Sequence, residues 1–439
     1  MKYYLFLHFL FFSANCFAQN IFLKQPATNE PCVLKEENEK FNNEVRLAKQ
    51  AYYASQKAKG IEQRAVTAHV LLGWPMRVNS DYDFQYNYFN LQNYVDQLRP
   101  GSGIQDYGCG GRTYNDHDAS DINLFPFWWR MMDNNAVMAV AAAPGIILPG
   151  RDFNLFDRNC TQTGSANNIT ILHDDGTTTR YLHLKKNSLT TKPDNERVEQ
   201  GEFLGFIGSS GRSSNPHLHF AVYDSLNRLV EPFFNYNTLT CNFISDDGWW
   251  QNQRSYWEPQ INRLMTHSAA PSIAFCPADE IVNAKNQFNS GDIFYTGIAF
   301  MDGQNNDVTA CSLLKPNGVL YDSWNVTLNQ TYSRQYEITS HLLPSANTGT
   351  WTFKAVYRSK TYVHFFTVGC KSTETISGTI SGNDGYITSD LITSTAVHTL
   401  TSNSKVLYQS ANTIELKPGF EIKAGVHFKA RIKPCDYVE

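Results

Sequence analysis

YLHLKKNSLTTKPDNERVEQGEFLGFIGSSGRSSNPHLHF, residues 181–220, has His183 near one end and the pair His217 and His219 near the other. In a β-strand, alternate side chains share a face at a rise of about 3.3 Å per residue. His217 and His219 are therefore predicted to project together, roughly 6.6 Å apart, while Leu218 enters the core. The preceding GFIGSSGRSSNP is typical of a turn that leads into a strand. Two neighbouring imidazoles at the mouth of a sheet indicate a metal or an acid/base site.

A second pair of polar residues lies upstream, in YGCGGRTYNDHDASDINLFPF, where His117 and Asp121 are four positions apart. The Gly, Asn and Asp residues before them and the apolar INLF after them favour a loop that enters a strand. AVMAVAAAPGII (136–147) predicts a strand of small residues with a Pro-Gly turn. NNITILHDDGTTTRYLHL (167–184) predicts a hairpin joined by Asp-Asp-Gly, with His183 on its return strand.

The length and composition of the chain favour several β-rich domains. At 439 residues the chain exceeds one ordinary core, so two or three domains are expected. Aromatic residues make up 13% of the chain and charged residues only 18%, which suits extracellular β domains better than a disordered chain. The net charge of −4 and the absence of a basic run predict no nucleic-acid partner.

The first residues, MKYYLFLHFLFFSANCFAQN, have one Lys, an apolar run and small residues near Ala18. This pattern predicts a secretory signal peptide over residues 1–18, cleaved after Ala18. A lipoprotein anchor at Cys16 is the rival interpretation, although Asn15 is an unfavourable residue before a lipidated cysteine. No later apolar run is long enough to predict a transmembrane span. The expected location is therefore secreted, periplasmic or at the cell surface.

Nine cysteines become eight once Cys16 is removed, an even number in an exported chain. Disulfide bonds are therefore expected, and Cys109 is predicted to be disulfide-bonded and not a nucleophile. Eight cysteines allow about 105 pairings, among which the sequence cannot choose. If each bond stays within or next to one domain, the expected pairs are Cys109–Cys160, Cys276–Cys311, Cys370–Cys435 and Cys32–Cys241.

The segments around the histidine-rich region differ in pattern. Residues 19–69 are polar with loosely helical apolar spacing and predict a leader with a peripheral helix. Residues 246–272 predict an aromatic linker, and the short alternating runs of 273–370 predict an Ig-like β-sandwich. In 371–439, apolar residues occupy nearly every even position from 414 to 432, with glycines six apart. This predicts a short β-solenoid-like module.

Together, the motifs HDASD, YLHL and NPHLHF are more specific than any one of them. Over residues 107–223, about a quarter of the chain, the sequence resembles the LytM/lysostaphin-type zinc metallopeptidases, the M23 family of bacterial cell-wall endopeptidases. The resemblance includes AVAAAPG (139–145), ILHDDG (171–176) and GEFLGFIGSSG (201–211). It implies a mainly β fold with a LytM-like antiparallel β-sheet peptidase domain, predicted over residues 70–245.

The resemblance also implies roles for particular side chains. In the family, the His and Asp of H-x-x-x-D and the second His of H-x-H bind zinc, so His117, Asp121 and His219 are the implied Zn²⁺ ligands. His183 and His217 are the implied catalytic histidines, and which of them acts as the base stays open. Two imidazoles and one carboxylate would leave a fourth position for water, which is the arrangement of a catalytic zinc site.

The sequence departs from the family pattern at two places. Ser120 stands where a Gly before the ligand Asp is common, which matters little if the backbone there is extended. The stretch FPFWWRMMDNN (125–135) is longer than usual and is expected to affect the substrate groove more than the metal. His173, before the hairpin turn, is predicted to make a structural hydrogen bond. The remaining histidines carry no predicted role.

Two functions from different classes follow from these residues. The first is an exported zinc endopeptidase that hydrolyses peptide bonds in peptidoglycan cross-links or Gly-rich peptides. The alternative is a non-catalytic cell-wall-binding or adhesin-like protein that uses the peptidase fold as a docking module. Intact ligand and catalytic positions favour the first. The oligomeric state is left open by the sequence.

Overall fold

The computed structural model of the protein describes residues 18–22, 35–61, 68–82, 86–99, 101, 103–160, 166–234, 248–344 and 347–438. The protein is mainly β, with 8% of residues in helices and 43% in strands, which confirms the predicted fold class. The Ig-like and solenoid assignments and the domain boundaries stay predictions. The predicted signal peptide, apart from Ala18, lies outside the described residues, as do Cys16, Cys32 and Cys241.

The N-terminal part contains strand β1 (Ala18–Phe22) and helix α1 (Lys35–Ala58). Acidic residues in the first turn of α1 and Lys57 in its last complement the helix dipole. Val45 is buried against Leu148 and Leu172, so α1 packs on the domain that follows. Within the described residues, no helix is long and apolar enough to cross a bilayer.

The chain from residue 70 to 234 forms an antiparallel sheet domain. Its main sheet has the strand order β3-β4-β11-β8-β7-β6-β9, with β12 beside β11, and a smaller sheet has the order β10-β5-β2. A short helix, α2 (Trp128–Asp133), follows β4. The strands are β2 (Met76–Val78), β3 (Phe89–Asn93), β4 (Ser120–Leu124), β5 (Val137–Val140), β6 (Gly145–Ile147), β7 (Ile169–Leu172), β8 (Thr178–Leu182), β9 (Arg197–Val198), β10 (Phe203–Phe206), β11 (His217–Tyr223) and β12 (Leu229–Val230).

Two predicted local structures are present in this domain. Strands β7 and β8 form the predicted hairpin, whose turn is closed by a hydrogen bond from the Gly176 N–H to the His173 carbonyl. Strand β11 contains both histidines of H-x-H, and Leu218 lies in the core as expected. His183 follows directly after β8 and is not within it, a small difference from the prediction.

The next part of the chain forms two sheets around a second core. One has the order β1-β18-β15-β13 and the other β14-β20-β19-β16-β17. Their inward side chains include Trp351, Phe353 and Phe366. The strands are β13 (Gln260–His267), β14 (Gln287–Phe288), β15 (Ile293–Gly303), β16 (Val308–Leu314), β17 (Leu320–Thr327), β18 (Tyr332–Leu342), β19 (Gly349–Tyr357) and β20 (Lys360–Val368).

Strand β13 lies within residues 246–272, which the sequence pattern assigns to a linker. It pairs with β15, and Ile261 and Leu264 enter the second core while Met265 enters the first. The sequence pattern does not predict this strand because both of its faces are buried, so its side chains do not alternate between apolar and polar.

The C-terminal strands pair in parallel around a small core of their own. The apolar residues of 414–432 are only partly buried: Phe420 and Phe428 pack against this core, whereas Ile422 and Ile432 are exposed. The strands are β21 (Lys371–Ile380), β22 (Asp384–Leu400), β23 (Lys405–Ser410), β24 (Thr413–Glu415), β25 (Phe420–Ile422) and β26 (His427–Ile432).

Two disulfides join described cysteines. Cys370–Cys435 confirms one predicted pair. Cys160 is bonded to Cys276, so the predicted pairs Cys109–Cys160 and Cys276–Cys311 are wrong; Cys311 is a free, buried thiol. Cys109 is disulfide-bonded, as expected. The grouping by domain failed because residues after β13 fold back onto the preceding domain, where the Cys276 N–H donates to the Ser214 carbonyl.

Candidate active site

The site lies where two neighbouring strands carry polar residues on the same face. Strand β11 pairs with β4, and the register places His219 opposite Asp121 and His217 opposite Asn123. Directly opposed residues of an antiparallel pair have Cβ atoms about 4.5–5.5 Å apart, so this pairing alone brings Asp121 to His219. Residues separated by nearly a hundred positions in sequence thus share one surface.

His117 and His183 enter the site from loops at the ends of strands. His117 precedes β4, and its ring lies 5.3 Å from that of His219. His183 follows β8, and its ring centroid is 4.6 Å from that of His217 and 5.6 Å from that of His219. The His183 backbone has a φ of 62°, a left-handed conformation that is uncommon for a residue with a side chain. All five predicted site residues are therefore brought together.

Backbone carbonyls orient three of the four imidazoles through Nδ1. The acceptors are Tyr94 for His117 (2.8 Å), Ser210 for His183 (2.7 Å) and Asn215 for His217 (2.7 Å). Because a carbonyl can only accept, Nδ1 carries the proton in each case and the neutral ring presents a lone pair at Nε2. All three Nε2 atoms are buried and have no hydrogen-bond partner among the described residues.

His219 is oriented the other way round. Its Nε2 lies 3.2 Å from an Asp118 carboxylate oxygen, and its Nδ1 lies 3.1 Å from Oδ1 of Asp121. The hydrogen bond with Asp118 places a proton on Nε2, which leaves Nδ1 directed at Asp121. The Nε2 atom of His117 is 3.1 Å from the other Asp121 oxygen.

This geometry fits a metal ion. The ligand atoms of His117, Asp121 and His219 lie within 4.8 Å of one another. Lone pairs of imidazole and carboxylate that face each other at 3.1 Å repel unless a cation or a proton lies between them. Zinc ligands at about 2.0–2.1 Å in a tetrahedral arrangement are about 3.3 Å apart. The separation of 3.1 Å between Asp121 and each of the two imidazole nitrogens is close to this value. Two nitrogens and one oxygen also form a zinc-type donor set.

The electrostatics of the site favour one added positive charge. Burial disfavours a charged His219, but hydrogen bonds to Asp118 and Asp121 raise its pKa to about 9. Burial also disfavours the charged Asp121, yet the neighbouring His117 and His217 hold the pKa of that carboxyl well below its usual range. Asp118 and Asp121 thus both remain carboxylates and attract either a proton or a cation to the space between the rings.

His183 and His217 are kept neutral by their surroundings. Burial lowers the pKa of His183 well below its usual value, and the neighbouring His217 and His219 lower it further. Burial also lowers the pKa of His217, against the opposing effect of Asp121. The Nε2 atom of His217 lies 3.6 Å from Oδ1 of Asp121. A neutral imidazole with a free Nε2 lone pair can accept a proton from a water molecule near the three potential ligands.

A turn before β11 orients His183 and His217, the two histidines of the site that are not potential metal ligands. The Ser210 and Asn215 carbonyls orient His183 and His217, and both belong to this turn. Both cysteines of the disulfide Cys160–Cys276 are hydrogen-bonded to this turn. The Ser213 N–H donates to the Cys160 carbonyl, and the Cys276 N–H donates to the Ser214 carbonyl. Ser210, within GSSG (208–211), thus supplies one of these backbone acceptors, and Asn215 supplies the other.

The residues that orient the ligands were not predicted from the sequence. Asn93 on β3 donates to Oδ2 of Asp121 at 2.9 Å, and Asp118 accepts from His219. The Tyr94 carbonyl holds His117. Backbone acceptors carry no side-chain signature, and Asn93 reaches Asp121 only through the pairing of β3 with β4. Only Asp118, as part of HDASD, stood within a motif.

The two departures from the family pattern have local explanations. Ser120 begins strand β4, so its backbone is extended and a Gly is not required. The longer stretch 125–135 contains α2, and the indole N–H groups of Trp128 and Trp129 donate to the Ala274 carbonyl. The insertion therefore packs against the segment that also provides Cys276.

The other predicted histidine role is confirmed. His173 makes hydrogen bonds with the Pro144 carbonyl through Nδ1 (2.8 Å) and with the Thr179 hydroxyl through Nε2 (2.9 Å). Both ring nitrogens are thus satisfied, and His173 has no lone pair left for a metal.

A family model agrees with this arrangement. Residues 132–232 match the model of Peptidase family M23. The matched range includes His183, His217 and His219 but begins after His117 and Asp121, which reach the site through β4. This match confirms the predicted resemblance to the M23 family over this part of the chain.

Characterised relatives match only over short segments. The chain is 39% identical over 56 residues to the peptidoglycan DD-endopeptidase ShyC of Vibrio cholerae serotype O1, covering 13% of this chain and 12% of the relative. It is 34% identical over 70 residues to the glycyl-glycine endopeptidase ALE-1 of Staphylococcus capitis, covering 16% and 18%. The chain thus spans less than a fifth of the length of either relative.

Similar solved structures include lysostaphin from Staphylococcus simulans. It has 16% sequence identity and a TM-score of 0.23, and the match covers 63% of this chain and 88% of that one. A zinc-containing peptidase from Vibrio cholerae has 22% identity and a TM-score of 0.21, over 37% and 39% of the two chains.

Proposed function

We propose that the protein is an exported zinc endopeptidase that hydrolyses peptide bonds in peptidoglycan cross-links or in Gly-rich peptides. The observation that carries this proposal is the convergence of four buried imidazoles and one carboxylate, with three Nε2 atoms that find no hydrogen-bond partner among the described residues. Such atoms are costly to bury unless a ligand or substrate uses them.

His117, Asp121 and His219 would hold the zinc ion, through Nε2, a carboxylate oxygen and Nδ1 respectively. Bound zinc supplies a Lewis acid for the scissile carbonyl and lowers the pKa of a water molecule toward about 7. The protein contributes the orientation of each donor atom and a site from which bulk water is largely excluded, since the five side chains are at most 4% exposed.

His217 is the better placed of the two remaining histidines to act as the base. Its Nε2 lone pair faces the metal trio at 3.6 Å from Asp121, whereas His183 lies further along the same surface, against His217. After accepting a proton from the attacking water, the His217 imidazolium can pass it to the leaving amine. His183, held neutral by burial and by the neighbouring His217 and His219, can take part in that proton transfer once it is protonated.

The substrate class comes from the relatives and from the start of the chain. Relatives named as peptidoglycan and glycyl-glycine endopeptidases support a cross-linking peptide as the substrate. The apolar segment at residues 1–18 supports export to the compartment where such peptides occur.

Metal analysis combined with single substitutions tests the proposal. The purified protein should contain zinc and cleave peptidoglycan or pentaglycine, and a chelator should abolish cleavage. His117→Ala, Asp121→Ala and His219→Ala should lose the metal. His183→Ala and His217→Ala should retain zinc while kcat falls by about 10²–10⁴-fold, because they move protons and do not bind the ion.

His427→Ala, which removes an exposed histidine of the C-terminal module, is the matched control and should keep both zinc and activity. Loss of zinc from His183→Ala would show that the role proposed for His183 is wrong and that this residue is needed for metal binding. Bound zinc without cleavage of either substrate would favour the docking function instead.

A further inference from the structure

Asp118 is a buried carboxylate directly behind the site, and the proposed zinc chemistry does not use it. It is 6% exposed and follows His117, yet one of its oxygens is directed at the Nε2 atom of His219, 3.2 Å away. This is the side of the His219 ring opposite to Asp121. Asp118 thus contacts a potential ligand from outside the metal trio.

The second oxygen of Asp118 is held by several donors. The Tyr223 hydroxyl donates to it at 3.2 Å, and the Asn38 amide of helix α1 donates to it as well. A guanidinium nitrogen of Arg99 lies 4.0 Å from the same oxygen. A carboxylate with several donors keeps both its charge and its position, so it can fix the ring that it contacts.

Helix α1 lies on the same face of the main sheet as the site. Along β11, His217, His219, Ala221 and Tyr223 share that face, and Arg180 of β8 pairs with Ala221. Arg180 stacks on Tyr223 and on Phe41 of α1. Helix α1 therefore covers the part of this face of β11 that follows His219, where Ala221 and Tyr223 lie.

Further contacts hold α1 in this position. The Lys49 ammonium donates to the Gly176 and Ser225 carbonyls, and Arg180 donates to the Asn42 side chain. The register of α1 over the sheet is thus set independently of Asn38. This placement brings Asn38, one turn from the start of the helix, to Asp118.

We propose that Asp118 is a positioning residue for the metal ligand His219 and that helix α1, through Asn38, is part of the support of the metal centre. The inference rests on the proposed zinc site. Asp118 holds the proton on Nε2 of His219 and fixes the plane of the ring, so that the Nδ1 lone pair stays directed at the ion. In metalloproteins, loss of such an outer partner typically weakens metal binding by about 10–100-fold.

The test is the zinc dissociation constant, measured by competition with a chromophoric chelator. Asp118→Ala should weaken zinc binding by about 10–100-fold, and Asp118→Asn, which keeps an acceptor oxygen, by less. Tyr223→Phe removes one donor to Asp118 but leaves the contact with His219, so it should change the affinity only a few-fold. Thermal unfolding of each zinc-free variant checks that it folds.

Helix α1 is tested with a matched pair of asparagines. Asn38→Ala should weaken zinc binding, whereas Asn43→Ala, on the exposed side of the same helix, should not. Unchanged zinc affinity in folded Asp118→Ala would overturn the positioning role, and equal effects of Asn38→Ala and Asn43→Ala would overturn the role of the helix. A wild-type protein that binds no zinc would refute the proposed function itself, which is a distinguishable result.

Discussion

At the scale of single residues, the site depends on which nitrogen of each imidazole carries the proton. Backbone carbonyls bind Nδ1 of His117, His183 and His217, whereas a carboxylate binds Nε2 of His219. The same residue type therefore presents Nε2 at three positions and Nδ1 at the fourth. An imidazole without these acceptors would exchange tautomers, and its lone pair would be directed at the site only part of the time.

A residue-scale prediction concerns pH and His267, which is fully buried beside the peptidase domain. Burial, together with the nearby Arg263 and Arg130, lowers the pKa of His267 to about 4, although its contact with the Val282 carbonyl opposes this. Because the folded-state pKa lies below the unfolded value of about 6.5, the stabilisation is present above about pH 6.5 and is lost as the pH falls toward 4.

The measurement is the free energy of unfolding of the wild type and of His267→Gln at about pH 7 and about pH 5. Between about pH 7 and about pH 5, the wild type should lose about 2 kcal/mol more of its free energy of unfolding than His267→Gln loses. Other titrating groups are common to both proteins, so their effects cancel in the difference. Equal losses in the two proteins would show that His267 titrates normally.

At the scale of elements, the turn before β11 connects His183 and His217 through backbone hydrogen bonds to Gly208. The Gly208 N–H donates to the His183 carbonyl, and the Gly208 carbonyl accepts from the His217 N–H. A Cβ atom at this position would lie 2.5 Å from the backbone of Lys185. Only glycine lets the two segments approach this closely.

Gly208→Ala should therefore lower kcat at least about tenfold and destabilise the protein by about 1–3 kcal/mol, because the backbone must move to relieve the clash. Zinc content should be unchanged, since the ligands His117, Asp121 and His219 make no hydrogen bond to this turn among the described residues. Gly382→Ala, where an added Cβ meets nothing within 4 Å, is the control. Wild-type turnover in Gly208→Ala would contradict the prediction.

At the scale of the whole molecule, the peptidase domain and the following two-sheet domain share a core. Met265, Ala299, Met301, Tyr336 and Ile338 belong to strands of the two-sheet domain yet pack into the core of the peptidase domain. The disulfide Cys160–Cys276 joins the same two parts covalently. The C-terminal strands have a separate core. We therefore expect the first two parts to unfold together.

Truncation of a buried side chain in each core tests this expectation. Met265→Ala should destabilise the protein by about 2–5 kcal/mol and lower the temperature at which peptidase activity is lost, although Met265 lies outside the predicted peptidase domain. Ile392→Ala makes a similar truncation in the C-terminal core and should leave that temperature unchanged. An unshifted midpoint in Met265→Ala would mean that the two parts unfold independently.

The sequence by itself determined the mainly β class, the hairpin at 167–184, the strand that carries H-x-H and the five residues that meet at the site. These features are local: they depend on alternation, turn residues and short motifs, which a strand or hairpin expresses without help from the rest of the chain. The resemblance to a known family then assigned roles to those five residues.

Only the tertiary structure decided the partners of those residues. The acceptors for the imidazoles, the support of His219 by Asp118, the pairing of Cys160 with Cys276 and the core shared through β13 all join segments far apart in sequence. Such contacts depend on strand register and chain folding, and a backbone carbonyl or a buried strand leaves no pattern of its own in the sequence.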